Sequence, residues 1–173
     1  HFVTHAINFF SSNKLVTYDQ SSGLWFAFTD IIYRFLGYTQ IASRMAALIF
    51  GSLSILAIYL ISREFFDEKI SIASAFLLAI APFHIKLTIS EQDVMAMFFV
   101  LIGMLLFIKA LKNNKLKYFT LSGIFIGLSI YSKVYTLLFI PSLLLYFFYF
   151  NQNIKNKLIT KNNSKKILIF LLA

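Results

Sequence analysis

From residue 45 onward the chain is a succession of apolar runs separated by short polar gaps. The runs are Met45–Ile61, Ile70–Ile85, Val94–Ile108, Tyr118–Ser132 and Val134–Phe150, and a sixth begins near Ile167. Each approaches the ~20 residues that an α-helix needs to cross a bilayer, and flanking polar residues can extend each helix into the interface. With 59% hydrophobic and only 13% charged residues, a soluble domain of this size could not cover so much apolar surface. The pattern predicts an all-α fold: a polytopic transmembrane helical bundle, multi-pass and integral to the cell membrane.

Residues 44–173 make up this bundle, and residues 1–43 read as an extracytoplasmic loop with two interfacial helices. In the segment His1–Ser12, Phe2, Val3, Ala6, Ile7 and Phe10 form one stripe at helical period, while His1, His5, Asn8 and Ser12 form the other. Leu24–Leu36 repeats the pattern, with Leu24, Trp25, Phe28, Ile31, Ile32 and Phe35 on one face. Asp30 and Arg34 sit opposite, spaced to pair at i and i+4. Trp25 and Tyr33 suit the headgroup zone, and Gly37 is a stop signal. The chain opens on His1 rather than Met and closes inside an apolar run, so the expectation is an internal fragment of a longer protein.

The formal charge of +9 does not point to nucleic acid, because the lysines lie in the gaps between apolar runs. If the runs alternate sides, the gaps at 63–69, 109–117 and 151–166 fall together. They hold 11 of the 16 lysines and arginines, which makes that side cytoplasmic. His5, His84, Lys86, Glu91, Asp93 and Lys133 then gather on the outer side. Cysteine is absent, so the chain has neither disulfides nor thiolate metal sites. No GxGxxG, Walker, HExxH or GxSxG pattern occurs.

The densest chemistry lies between Pro82 and Phe99, where His84, Lys86, Glu91 and Asp93 separate two apolar runs. Ionisable groups at a membrane boundary need water, a partner or a ligand. Ser90-Glu91-Gln92-Asp93 matches a capping box, which would use the acids only to start a helix. The alternative is that one carboxylate faces a polar cavity, as a base or a metal ligand. Lys133 stands in a short turn between two runs, either as a snorkelling anchor or as a cation for a lipid phosphate. His84, Lys86 and Arg44 are readable as interface residues or as ligands. His1 and His5 are spaced for a metal pair but lack a third protein ligand. Gly123-x-x-x-Gly127 offers a small-residue packing face.

The order of these elements is similar to that of a known family. Two short amphipathic helices precede R-M-A-A-L-I-F-G-S-L-S-I-L-A-I-Y-L-I-S-R-E-F-F, from Arg44 to Phe66. Then come A-F-L-L-A-I-A-P-F-H, S-E-Q-D before M-A-M-F-F, and G-I-F-I-G-L-S-I-Y-S-K-V-Y-T-L-L-F-I-P-S-L-L-L-Y. Over about His1 to Phe150 this resembles glycosyltransferase family 39, the dolichyl-phosphate-mannose–protein mannosyltransferases and related aminoarabinose transferases. The resemblance implies a C-type glycosyltransferase fold and transfer of a sugar from a polyprenyl-phosphate carrier to a protein or lipid acceptor on the outer side. It implies that Asp93 or Glu91 is the acid of the second outer loop. Lys133 matches the family's lysine, Arg44 opens the second family span, and His5 lies in the first-loop helix. The resemblance also implies a first-loop acidic pair that serves as the family's catalytic base; it would precede His1 and so is expected to be missing from this fragment. Where the family often has Pro-Pro-Leu, this chain has Ser21-Ser22-Gly23-Leu24.

The expectation is therefore a glycosyltransferase. Asp93 or Glu91 would be catalytic, Lys133, Arg44, His5 and His84 would bind substrate, and Asp93 would hold a divalent metal if one is used. A transporter or flippase would instead predict broken helices and charges near mid-span. A non-catalytic membrane scaffold would tolerate Asp93→Asn and Lys133→Ala.

Overall fold

The computed structural model describes residues 23–153. His1–Ser12, with His5, and the run near Ile167 lie outside the described residues. Within them every element is helical: α1 Gly23–Leu36, α2 Gln40–Arg63, α3 Glu68–Ile80, α4 Pro82–Ser90, α5 Asp93–Asn113 and α6 Leu116–Ser132. A 3-10 turn, Val134–Leu138, then leads into α7, Phe139–Asn153.

Local chemistry sets most boundaries. Gly37, at φ 70°, takes the left-handed conformation that ends α1. Thr39 caps α2, its hydroxyl accepting from the Ala42 N–H at 3.1 Å, and Asp67 caps α3 in the same way through Ile70. Ala81 is extended because it precedes proline, and Pro82 opens α4 at a position where a missing N–H costs nothing. The expected single run Ile70–Ile85 is therefore two helices, bent by 60°. Pro141 likewise falls in the first turn of α7 rather than inside a span, since the chain passes through a 3-10 turn first.

By length and composition, α2 and α5 can each cross a membrane, and α3 with α4 makes a third crossing if the bent pair is one span. The runs Tyr118–Ser132 and Val134–Phe150 form shorter helices, α6 of 17 residues and α7 of 15.

The helix directions follow from the contacts. The early residues Ala46, Ala47 and Phe50 of α2 pack on Val94, Met95 and Phe99 of α5, and Ile61 packs on Leu105 and Ile108. These two helices therefore run parallel. α6 returns antiparallel against α5, and α7 joins them through Phe107, Phe119 and Phe147. On α2, Leu48, Ile49, Leu53 and Leu56 point outward, as do Ile72, Phe76 and Leu77 on α3. An apolar exterior of this kind matches a lipid environment.

The amphipathic helix α1 packs most of its less apolar side on the bundle. Phe28, Ile31 and Phe35 are exposed, while Trp25, Phe26, Thr29, Asp30 and Tyr33 are buried. Trp25 and Tyr33 join the core between α2 and α5 instead of a headgroup zone. Asp30 and Arg34 do pair, at 2.7 Å, with the carboxylate facing in and the guanidinium facing out. In an apolar surrounding the outward face of an amphipathic helix is the greasy one, so the polar residue points toward the protein.

Candidate functional site

The site is positioned by the seam between α5 and α6. Two serines of α6 donate to backbone carbonyls of α5: Ser122 to Gly103 at 2.7 Å and Ser129 to Ala96 at 3.0 Å. A step of seven residues along α6 matches a step of seven back along α5. That is the register of two helices packed at a shallow angle. Gly103 permits the closeness, since a Cβ there would lie 2.6 Å from the Ile126 side chain. The close approach falls on this glycine, whereas the Gly123-x-x-x-Gly127 pattern had been the sequence signal for it. Serines seven apart on an apolar helix are a legible mark of such a seam.

One further turn along this seam brings the end of α6 beside the start of α5. There Lys133 Nζ lies 3.0 Å from Asp93 Oδ1, with side chains 16% and 30% exposed. Oδ1 is enclosed and receives no well-aimed hydrogen bond, so the contact is ionic. The Tyr135 phenol lies near the same carboxylate. Sequence reasoning passed over Tyr135 as a mere neighbour of Lys133.

The backbone at Lys133 is held on both sides. Its N–H donates to the Ser129 carbonyl at 2.8 Å, and its carbonyl accepts from the Thr136 N–H at 3.0 Å. The Thr136 hydroxyl, which is buried, donates to the same carbonyl at 2.7 Å. Lys-Val-Tyr-Thr is thus a hydroxyl-closed turn. It fixes the Lys133 backbone, and the ammonium hangs from it on a four-carbon stem.

Asp93 is the first residue of α5, where a carboxylate suits the positive helix end. The expected capping box does not form. Ser90 belongs to the last turn of α4, Gln92 occupies the cap position in a helical conformation, and no side chain caps the helix. The Asp93 carboxylate is therefore spent on Lys133 and not on the backbone. Glu91 closes α4 with its backbone, donating to the Leu87 carbonyl at 3.1 Å, and its side chain is exposed.

The other predicted residues are not drawn into this pair. Arg44 lies exposed in the second turn of α2. Lys86 is also exposed. His84, expected at an interface, is buried to 4% exposure on α4, and neither ring nitrogen has a hydrogen-bond partner. It lies where α4 crosses α2 at Gly51, a site so tight that a Cβ would meet Thr88 at 2.5 Å. Among the described residues no group of three or more His, Asp or Glu side chains converges as a metal site. The donor set at Asp93 is one carboxylate already facing a cation, which does not fit a metal, and no step below runs through one.

This arrangement can do two things. An enclosed carboxylate can accept a proton, and an ammonium beside it can meet an anion. A family model described as dolichyl-phosphate-mannose-protein mannosyltransferase matches residues 23–173. No curated protein and no solved structure matches the chain.

Proposed function

The chain belongs to the dolichyl-phosphate-mannose-protein mannosyltransferase family, a family of membrane glycosyltransferases, and on that premise we propose that it moves a sugar from a polyprenyl-phosphate donor to a hydroxyl of a protein or lipid acceptor at the extracytoplasmic face. Asp93 takes the proton of the acceptor hydroxyl, which raises its nucleophilicity toward the anomeric carbon. Lys133 offsets the charge that builds on the departing phosphate. The observation that carries this reading is the enclosed Asp93–Lys133 pair at 3.0 Å. It joins the two functions that displacement of a phosphate requires.

The surroundings support a lipid-borne donor. Val134, Leu138 and Phe139, directly after Lys133, are all exposed apolar side chains. An isoprenoid chain could lie on them while its phosphate reaches the ammonium. Arg44, His5 and Glu91 remain proposed second-rank contacts for substrate. The bend between α3 and α4 is the feature a transporter reading would use. Against that reading stand the family match and the position of the ion pair at helix ends, away from mid-span.

The test is transfer in reconstituted proteoliposomes carrying polyprenyl-phosphate mannose and a hydroxyl acceptor. Turnover by the native protein, lost in Asp93→Asn and Lys133→Ala at equal folded content, is the expected result. Transfer that survives both substitutions would remove Asp93 and Lys133 from the chemistry, and no turnover by the native protein would return the chain to the scaffold reading.

A further inference from the structure

The ion pair itself raises a problem that the proposed reaction has to solve. At rest each partner neutralises the other. While Lys133 Nζ sits 3.0 Å from Asp93 Oδ1 it stands where an acceptor hydroxyl would approach that oxygen, and the ammonium is turned to the carboxylate and not to a phosphate. The chemistry of the transfer supplies the release. The acceptor oxygen bonds to the anomeric carbon, and the anomeric carbon–phosphate oxygen bond breaks with its electron pair on the phosphate. The hydroxyl proton goes to Asp93. A phosphodiester with one negative charge thereby becomes a phosphomonoester with about two. In the same step the carboxylate becomes neutral and loses its hold on Lys133.

We propose that the Asp93–Lys133 pair is a charge latch that the reaction opens, with the ammonium passing from the carboxylate to the leaving phosphate as the carboxylate takes the proton. This inference rests on the function proposed above and adds the order of events within it. The structure has the parts it needs. The Lys133 backbone is pinned by Ser129 and Thr136, so only the flexible side chain has to swing. Asp93 Oδ1 has no hydrogen bond that must break first. The α5 terminus does not depend on the Asp93 side chain as a cap. The Tyr135 phenol is a further polar neighbour of the carboxylate once the ammonium leaves. When Asp93 later loses its proton, its charge draws Lys133 back and weakens the grip on the spent carrier phosphate.

The latch makes a prediction that simple charge repulsion does not share. Asp93→Asn imitates the protonated state and frees Lys133. Binding of polyprenyl monophosphate to the protein in nanodiscs is therefore expected to tighten about fivefold in Asp93→Asn, the upper end of the range for a solvent-accessible ion pair. The same substitution made in a Lys133→Met background is expected to change affinity by less than about twofold, because no cation remains to be released. An equal gain in both backgrounds would mean bulk repulsion and would overturn the latch while leaving the donor reading intact. Weaker binding in Asp93→Asn would overturn it too, by showing that the carboxylate helps to build the phosphate site. Absence of binding in the native protein and all variants would overturn the donor reading, and the latch with it. Asp93→Ser repeats the comparison should the asparagine variant fail to fold.

Discussion

The two ends of the bundle each carry a carboxylate–lysine contact between α2, α5 and α6, and they are built on opposite plans. At the end where α2 and α5 finish, Glu64 meets Lys112 at 2.9 Å and Lys109 at 3.9 Å. Lys112 also donates to the Glu64 carbonyl and lies 5.5 Å from the centre of the Phe65 ring. Phe65 in turn packs edge-on against Tyr146 of α7. Glu64 and Lys112 there each have more than one partner. At the other end Asp93 has one cation, whose side chain is less exposed than Lys109 or Lys112, and a carboxylate oxygen that accepts no aligned hydrogen bond. Redundant contacts make a staple, which tolerates the loss of any one member. A single enclosed pair with unused bonding capacity is poised for an incoming group.

The sharpest way to break this contrast is Asp93→Asn. Sugar transfer should fall by about 10²–10⁴-fold, the range for losing a general base, while the thermal midpoint of the purified protein stays within a few degrees. A parallel loss of fold and activity would make Asp93 another staple. Next in size is Gly51→Ala, whose new methyl meets Thr88 at 2.5 Å. Overpacking of this kind costs about 1–3 kcal/mol. Denaturation should show that loss, and Thr88→Ala in the same chain should recover part of it.

Glu64→Gln tests the staple. A stability loss of about 0.2–1 kcal/mol, shrinking in high salt, is expected for exposed pairs, with transfer unchanged. A large loss of transfer would show that the far end is coupled to the mouth. The smallest effect separates the two serines of the seam. Ser122→Ala and Ser129→Ala should each cost roughly 0.6 kcal/mol, the average for such bonds between membrane helices. Only Ser129→Ala, one turn from Lys133, should also lower transfer, and equal kinetics for both would break the link between seam and site.

Much of the fold was legible in the sequence because apolar periodicity and length are local properties. The runs beginning at Met45 and Val94 became α2 and α5, slightly lengthened, and Gly37 stopped α1 as expected. Asp93 and Lys133 could be singled out because ionisable residues beside apolar runs are costly. Their neighbours could not be ranked, since exposure is not encoded in the type of residue. His84 and Arg44 looked alike as interface residues, and one is buried while the other is exposed. Which face of α1 packs inward was not legible for a related reason. Amphipathicity tells which residues differ, and the medium outside decides which side is turned inward.

The sequence by itself determined that this is a helical membrane protein with its acids and lysines at the ends of apolar segments, because the bilayer penalises any other placement. The tertiary structure decided that Asp93 belongs to Lys133, forty residues away in the chain. That pairing depends on the register of two antiparallel helices, fixed by two serine hydroxyls and the missing side chain of Gly103. Register is a property of the contact between helices, so neither helix carries it alone.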